Sequence, residues 1–299
     1  MFLSVLIPTY NRNCYLLAKI LSQQCSAISG MDWEVVVIDD GSTDASAKAS
    51  NRWLSQIEGV RFVEAPQNVG RSRIRNRAID EARGKWLVFL DDDVMPANER
   101  FMEKYVKMAQ RDKWDVVCGG VNALHRKEDE SSLRWIYDAY AEEQLTLEKR
   151  RVQPFACFTT ANFMARRSVF DTIRFDESLS QYGYEDALFG ILLEKHKVRL
   201  RHTNNPVEHL GIEPNDVYVR KTEQALENLY RLGEPMTSRA RVSVAAGNLR
   251  RKRLLWLVKV WHCLFGKMER RLLCSKYPSV HVLQLYKLGY YSQLKESRE

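Results

Sequence analysis

Three consecutive carboxylates, Asp91-Asp92-Asp93, close the apolar run Trp86-Leu87-Val88-Phe89-Leu90 without a break. The run is short, branched and aromatic and follows Gly84, so it reads as a buried parallel strand. Three acids at such a strand end repel one another unless a cation sits among them. A hard divalent ion carrying a diphosphate answers that need, because oxygen ligands suit Mg2+ or Mn2+. A solvated acidic turn is the plain alternative. A second acidic turn, Asp39-Asp40-Gly41-Ser42-Thr43-Asp44, follows the apolar run Trp33–Ile38. Gly41 allows a tight turn, and Ser42 or Thr43 can cap a following helix. Asp39 either stabilises that turn or accepts a hydrogen bond from a base N–H of the kind a uracil ring offers. A third segment, Arg71-Ser72-Arg73-Ile74-Arg75-Asn76-Arg77, sets four arginines at alternate positions. On a helix Arg71 and Arg75 share one face, whereas Arg73 and Arg77 lie nearly opposite. Arg71 and Arg75 near the helix N-terminus would make a diphosphate clamp; a solvated charge run is the alternative.

Alternating strand-like and helix-like segments must position these groups. Strands are expected over Phe2–Ile7, Trp33–Ile38, Val60–Val63, Trp86–Leu90 and Val116–Gly119. Helices are expected over Asn13–Ile28, Thr43–Ile57, Val69–Ala82 and Asn98–Arg111. This alternation predicts an α/β fold built of right-handed βαβ units around a mostly parallel sheet, with ligands at the carboxyl ends of the strands. Three such ends, Pro8-Thr9-Tyr10-Asn11, Asp39-Asp40-Gly41-Ser42 and Asp91-Asp92-Asp93, would then come together. The second half is less regular. It reads as a charged helix over Glu128–Arg150, a strand over Ala156–Ala165, and helices over Asp186–Lys195 and Asn215–Leu232.

The 299 residues are 45% hydrophobic and 28% charged, which argues against disorder and allows one large domain with an appendage. Six scattered cysteines without a C-x-x-C pair point to reduced thiols in a cytoplasmic setting. The N-terminal segment has no basic n-region, so no export signal is expected, and no apolar stretch reaches the ~18–20 residues that span a bilayer. Charge is uneven. Residues 239–299 hold 14 Lys+Arg against 3 Asp+Glu, a net of +11 in a chain whose total is +8. The asymmetry points to a polyanionic partner, nucleic acid or an anionic membrane.

Four motifs in order, Ser4-Val5-Leu6-Ile7-Pro8-Thr9-Tyr10-Asn11-Arg12, Val37-Ile38-Asp39-Asp40-Gly41-Ser42-Thr43-Asp44, Asn68-Val69-Gly70 with Arg75-Asn76, and Phe89-Leu90-Asp91-Asp92-Asp93, resemble the family 2 glycosyltransferases of the GT-A fold. The resemblance covers most of residues 1–230. It implies a Rossmann-like, mixed and mostly parallel sheet flanked by helices, with a catalytic domain over 1–238 and a basic helical extension over 239–299. Residues 1–120 would form the nucleotide-sugar half and 121–238 the acceptor half. It further implies a nucleotide-sugar donor, usually UDP-linked, with Pro8, Thr9, Tyr10 and Asp39 on the base side and Arg71 and Arg75 on the diphosphate. The family's D-x-D falls on Asp91 to Asp93. Asp93 would be the direct ligand to Mn2+ or Mg2+, Asp91 would serve the ribose or the metal, and Asp92 would be the variable middle position among the donor contacts.

Downstream, Thr159–Arg167 leads to Gly183-Tyr184-Glu185-Asp186, similar to the Gly-Trp-Gly-Gly-Glu-Asp of galactosyltransferase-like members but lacking one glycine and with Tyr for Trp. The resemblance makes Asp186 the general base, with Glu185 beside it, and His209 a third metal ligand, with Glu208 competing for that role. The implied reaction is a single displacement with inversion onto a hydroxyl of a glycan or lipid-linked acceptor, in cell-surface polysaccharide or glycoconjugate synthesis. A sugar nucleotidyltransferase is disfavoured because the first strand is not followed by a Gly-rich, lysine-bearing loop; an inactive sugar-nucleotide-binding scaffold is the other alternative.

In the tail, Arg250-Arg251-Lys252-Arg253 runs into Leu254-Leu255-Trp256-Leu257-Val258-Lys259-Val260-Trp261-His262-Cys263-Leu264-Phe265. Cations beside a tryptophan-rich apolar face suit a helix lying on an anionic membrane surface. A C-terminal helix packed on the catalytic domain is the alternative. Nucleic acid is disfavoured because no recognised module accompanies the charge. The expected location is therefore cytoplasmic and peripheral, on the inner face of the membrane.

Overall fold

The computed structural model describes residues 2–123, 131–179 and 183–294. In chain order the first elements are β1 (Phe2–Thr9), α1 (Tyr15–Ser26), β2 (Asp32–Asp39), α2 (Ala45–Arg52), β3 (Val60–Glu64), α3 (Arg71–Glu81), β4 (Trp86–Leu90), β5 (Val94–Pro96), α4 (Phe101–Arg111), β6 (Val116–Cys118) and β7 (Val121–Ala123). Then come α5 (Leu133–Gln144), α6 (Leu147–Val152), β8 (Asn162–Arg166), α7 (Glu185–Lys195), β9 (Leu200–His202), β10 (Val207–His209), α8 (Asn215–Leu232), α9 (Arg241–Arg251), α10 (Leu255–Leu273) and α11 (Val280–Gln293).

The chain divides into two compact units. One holds Met1–Asn122, Leu145–Ser180 and Glu185–Gly211; the other holds Ala123–Gln144, Gln181–Tyr184 and Ile212–Glu299. Helix α8 thus belongs with α9, α10 and α11.

The first unit is a seven-stranded sheet in the order β3-β2-β1-β4-β8-β6-β9. Strands β1 to β4 are parallel, and β8 runs antiparallel between β4 and β6. Alternation along each strand divides the core between the two faces of the sheet. Leu3, Val5, Ile7, Val35, Val37, Trp86, Val88 and Leu90 pack with α1 and α4 on one face. Leu6, Val36, Ile38, Leu87 and Phe89 pack with α3 and α7 on the other. There Phe89 stacks on Phe163 at 4.7 Å, which couples the parallel half of the sheet to β8. Burial on both faces is why β4 reads as an unbroken apolar run. A small second sheet, β5-β10-β7, sets His209 opposite Val94.

Two expected elements differ. The helix expected over Glu128–Arg150 divides into α5 and α6, because Thr146 turns extended and its side chain caps the second helix at Lys149 N–H. Residues 128–130 of that expectation lie outside the described residues. The strand expected over Ala156–Ala165 begins only at Asn162. Thr159 and Thr160 instead spend their hydroxyls on Asp186. Strands β5, β7, β9 and β10, three residues each, are too short to carry a sequence period. No helix of the described residues is long and apolar enough to cross a membrane. All six cysteines are free thiols.

Candidate active site

The carboxyl ends of β1, β2 and β4 are joined by side chains. Thr9 Oγ1 donates to Asp92 Oδ2 at 2.7 Å, and the Tyr10 N–H reaches the same oxygen at 3.2 Å. Pro8 sits within β1 opposite Ile38, one residue behind that contact, and Tyr10 faces solvent. Asn11 accepts from the N–H groups of Thr43 and Asp44 at 2.7 and 2.9 Å and donates its own to Ser42 Oγ. The loops after β1 and β2 are thereby one structure.

Asp39 is 1% exposed. Its Oδ1 accepts from the Ser42 N–H at 3.0 Å and from the Ser42 hydroxyl. Its Oδ2 is buried with no hydrogen-bond partner. A buried carboxylate oxygen left unpaired is costly, and a ligand N–H at this point removes the cost. Asp40 takes a different part. It accepts from the N–H groups of Val69 and Gly70 at 2.8 and 3.0 Å, holding the approach to α3, and burial pushes its pKa up.

Gly41 makes this packing possible. Its φ is +68°, and a Cβ there would lie 2.4 Å from the Gln67 carbonyl carbon. Gly41→Ala is therefore expected to cost about 2 kcal/mol or more of folding stability. Chemical denaturation checks this: a smaller loss would mean that the loop after β3 yields.

The three acids after β4 turn in three directions. Asp91 Oδ1 accepts from Arg75 Nη2 at 2.8 Å. Arg75 is 3% exposed, and its Nε and Nη1 are buried without partners. A guanidinium with two unused donors is ready for phosphate oxygens. Asp92, expected among the donor contacts, turns back onto Thr9 and Tyr10, and burial together with the Asp93 charge pushes it up to about 6. Asp93 Oδ2 lies 3.3 Å from His209 Nε2. Its backbone carbonyl accepts from Leu210 N–H at 2.8 Å, so strand pairing sets this approach. Glu208, one residue earlier on β10, falls on the opposite side of the strand. Arg12, which the sequence reading left without a role, stands 3.6 Å from Asp92 and 3.7 Å from Asp93.

Among the described residues no three His, Cys, Asp or Glu groups are already gathered as a metal cluster. The pair Asp93 and His209 nevertheless fits a divalent ion. One oxygen and one nitrogen face each other at a distance a bound cation bridges, and a diphosphate and water would supply the other positions. Gly211 keeps that space open, since a Cβ there would lie 2.7 Å from Asp93 Oδ2 and 3.1 Å from His209 Cε1.

Asp186 opens α7. Thr160 Oγ1 donates to its Oδ1 at 2.7 Å and Thr159 Oγ1 to its Oδ2 at 3.2 Å. Burial and the neighbouring Glu185 charge push its pKa up to about 6, while Arg75 pulls the other way. Glu185 is buried against Arg71, with Nη1 to Oε1 at 3.3 Å. The two arginines read as a joint diphosphate clamp therefore diverge: Arg71 goes to Glu185 and Arg75 to Asp91. Asn76, the residue after Arg75 on α3, clamps the loop at Phe175 with three hydrogen bonds of 2.9 to 3.0 Å. The sequence carried no signal for Thr159 and Thr160 as orienting groups beyond their place before β8.

A mostly parallel seven-stranded sheet flanked by helices, with Asp39, Arg75 and the Asp93–His209 pair in the loops beside its carboxyl ends, is the architecture of a GT-A transferase domain. The chain belongs to glycosyl transferase family 2: the family's model matches residues 4–174, more than half of its length. It is 35% identical over 108 residues to an uncharacterized glycosyltransferase of Haemophilus influenzae, covering 36% of this chain and 42% of that protein. It is 25% identical over 205 residues to glycosyltransferase GlyA of Streptococcus pneumoniae, covering 64% of this chain and 28% of that protein. The matches thus span less than half the length of either relative. Among solved structures, the mannosyltransferase PcManGT from Pyrobaculum calidifontis, in complex with GDP-Man and Mn2+, superposes with a TM-score of 0.55 at 16% identity, covering 99% of this chain and 88% of that one. S. aureus TarS 1-349 in complex with UDP gives 0.53 at 17% identity, covering 99% and 91%. At these identities the likeness is one of fold.

Proposed function

We propose that the protein transfers a hexosyl or N-acetylhexosaminyl group from a nucleoside-diphosphate sugar, UDP-linked by preference, to a hydroxyl of a glycan or lipid-linked glycan, with inversion. Cell-surface polysaccharide or glycoconjugate synthesis is the setting this reaction fits. The cation-rich tail supports a peripheral position at the cytoplasmic face of a membrane. One observation carries the reading: a single compact unit holds the orphan oxygen of Asp39, the unused donors of Arg75, the Asp93–His209 pair and the buried carboxylate of Asp186.

In this mechanism Asp39 accepts the base N–H, beside Thr9 and Tyr10, while Arg75 and Arg71 take diphosphate oxygens. Arg75 offers Nε and Nη1 to phosphate while Nη2 keeps Asp91, and Arg71 exchanges part of its contact with Glu185. Asp93 and His209 would hold a Mn2+ or Mg2+ ion, with Asp91 on the ribose or metal side; when bound, that ion neutralises charge on the diphosphate. Asp186, held by Thr159 and Thr160, takes the proton of the acceptor hydroxyl. The hydroxyl oxygen bonds to the anomeric carbon as the bond from that carbon to the diphosphate oxygen breaks. The nucleoside diphosphate leaves from the opposite face, so an α-linked donor gives a β-linked product.

The direct test offers a panel of nucleotide sugars with Mn2+ or Mg2+ and candidate acceptors and follows free nucleoside diphosphate. Acceptor-dependent release from one donor establishes transfer. Donor binding without release would favour a scaffold, and pyrophosphate exchange a nucleotidyltransferase.

The base also sets a pH dependence. Asp186 works ionised, so activity is present above its pKa and lost as pH falls through it. With the group pushed up to about 6, kcat/KM is expected to level off above neutrality and to drop about tenfold per pH unit well below 6. A flat profile down to pH ~4.5 would remove Asp186 from the proton transfer.

A further inference from the structure

Helix α10 has two faces with different surroundings. On one, His262, Gly266, Glu269 and Leu273 are buried. The His262 ring lies 5.1 Å from that of Tyr286 on α11, and Glu269 accepts from Trp261 Nε1 at 2.7 Å. The helix is thus already anchored within its own unit. On the other face Trp256, Val260, Leu264, Met268 and Leu272 recur at every fourth position and are 45 to 68% exposed, with Leu257 and Trp261 alongside. A helix of 19 residues is about 28 Å long. An apolar stripe of that length is more than the scattered exposed side chains of an ordinary surface.

The charge around the stripe says what covers it. Arg250 and Arg251 at the end of α9 and Lys252 and Arg253 in the link to α10 are exposed, and Lys267 and Arg271 are exposed along α10. From Arg241 to Leu273 the only acidic residue is Glu269, which is 4% exposed. A second copy laid on this face would bring two sets of cations together. A bilayer with anionic headgroups meets both needs: apolar side chains enter the acyl boundary, tryptophans sit at headgroup level, and cations contact phosphates. We propose that the outward face of α10 docks the protein on an anionic lipid bilayer, with the helix parallel to the surface. This deepens the membrane position proposed above by assigning it to one face of one helix. It does not depend on the transfer chemistry.

The test uses the full chain with vesicles of phosphatidylcholine alone or with about 30% phosphatidylglycerol. Expected are co-sedimentation with the anionic vesicles, a blue shift of tryptophan emission and weakening by salt. Leu264→Asp, at the most exposed point of the stripe, should lower partitioning by about thirtyfold or more while leaving thermal unfolding unchanged. Replacing Arg250, Arg251, Lys252 and Arg253 by Gln should cost about fivefold per charge. Failure of the folded chain to sediment with anionic vesicles would overturn the proposal, as would undiminished binding by Leu264→Asp. A dimer lost in Leu264→Asp, without vesicle binding, would assign the stripe to a second copy instead. Because no sugar nucleotide is present, failure here leaves the transferase reading intact, and an inactive protein that still binds vesicles leaves this one intact.

Discussion

Asp186→Asn is expected to lower the transfer rate by about three orders of magnitude while leaving nucleotide-sugar affinity within about threefold. The substitution keeps size and an acceptor oxygen, so Thr160 can still donate at the position it holds in the wild type. What it removes is the basic lone pair. A sugar hydroxyl is a weak nucleophile, and without a group to take its proton as attack proceeds the barrier rises by roughly 4 kcal/mol. Burial and the Glu185 charge make Asp186 a stronger base than an exposed carboxylate, yet one still largely ionised at neutral pH. Calorimetric titration with the donor separates the two roles. If the variant loses donor affinity and keeps its maximal rate, Asp186 serves the nucleotide and not the acceptor.

Asp93→Ala is expected to abolish metal-dependent donor binding and to lower kcat/KM by about 10²–10³-fold. His209→Ala should do nearly the same, and the double variant should be little worse than either. Their facing atoms are 3.3 Å apart and would serve one ion, so removing either forfeits most of what both provide. Thermal unfolding with Mn2+ and nucleotide, together and apart, reads this directly. The wild type should rise in Tm only when both are present, and the variants should not rise. A metal-dependent rise that persists in Asp93→Ala would move the ion to other ligands. Additive losses in the double variant would mean that the two side chains do separate things.

Much of the first half of the chain was legible because its signals are local. The run Trp86–Leu90 ending in acids defined β4 residue for residue, and α8 matched its expected limits. The order of the motifs after β1, β2 and β4 placed Asp39 and the acidic triplet at one sheet edge, because parallel strands joined by helices bring their carboxyl ends together. Helical spacing put Arg71 and Arg75 on one face of α3. It could not tell that one would meet Glu185, 114 positions away in the chain, and the other Asp91. The tail was legible as cations beside an apolar helix; whether that helix packs or lies exposed was open, and α10 does both on opposite faces.

By itself the sequence determined the fold class, the edge of the sheet where chemistry can occur and the residue types available there, because strand and helix periods and turn residues are properties of neighbouring positions. Tertiary structure decided which atom meets which. The pairing of β5 with β10 brings His209 to Asp93, Thr9 takes Asp92 out of the acidic cluster, and Thr159 and Thr160 aim Asp186. Those contacts depend on strand register and on burial that no local window encodes, and a carboxylate acts as ligand, strut or base according to the partner that packing gives it.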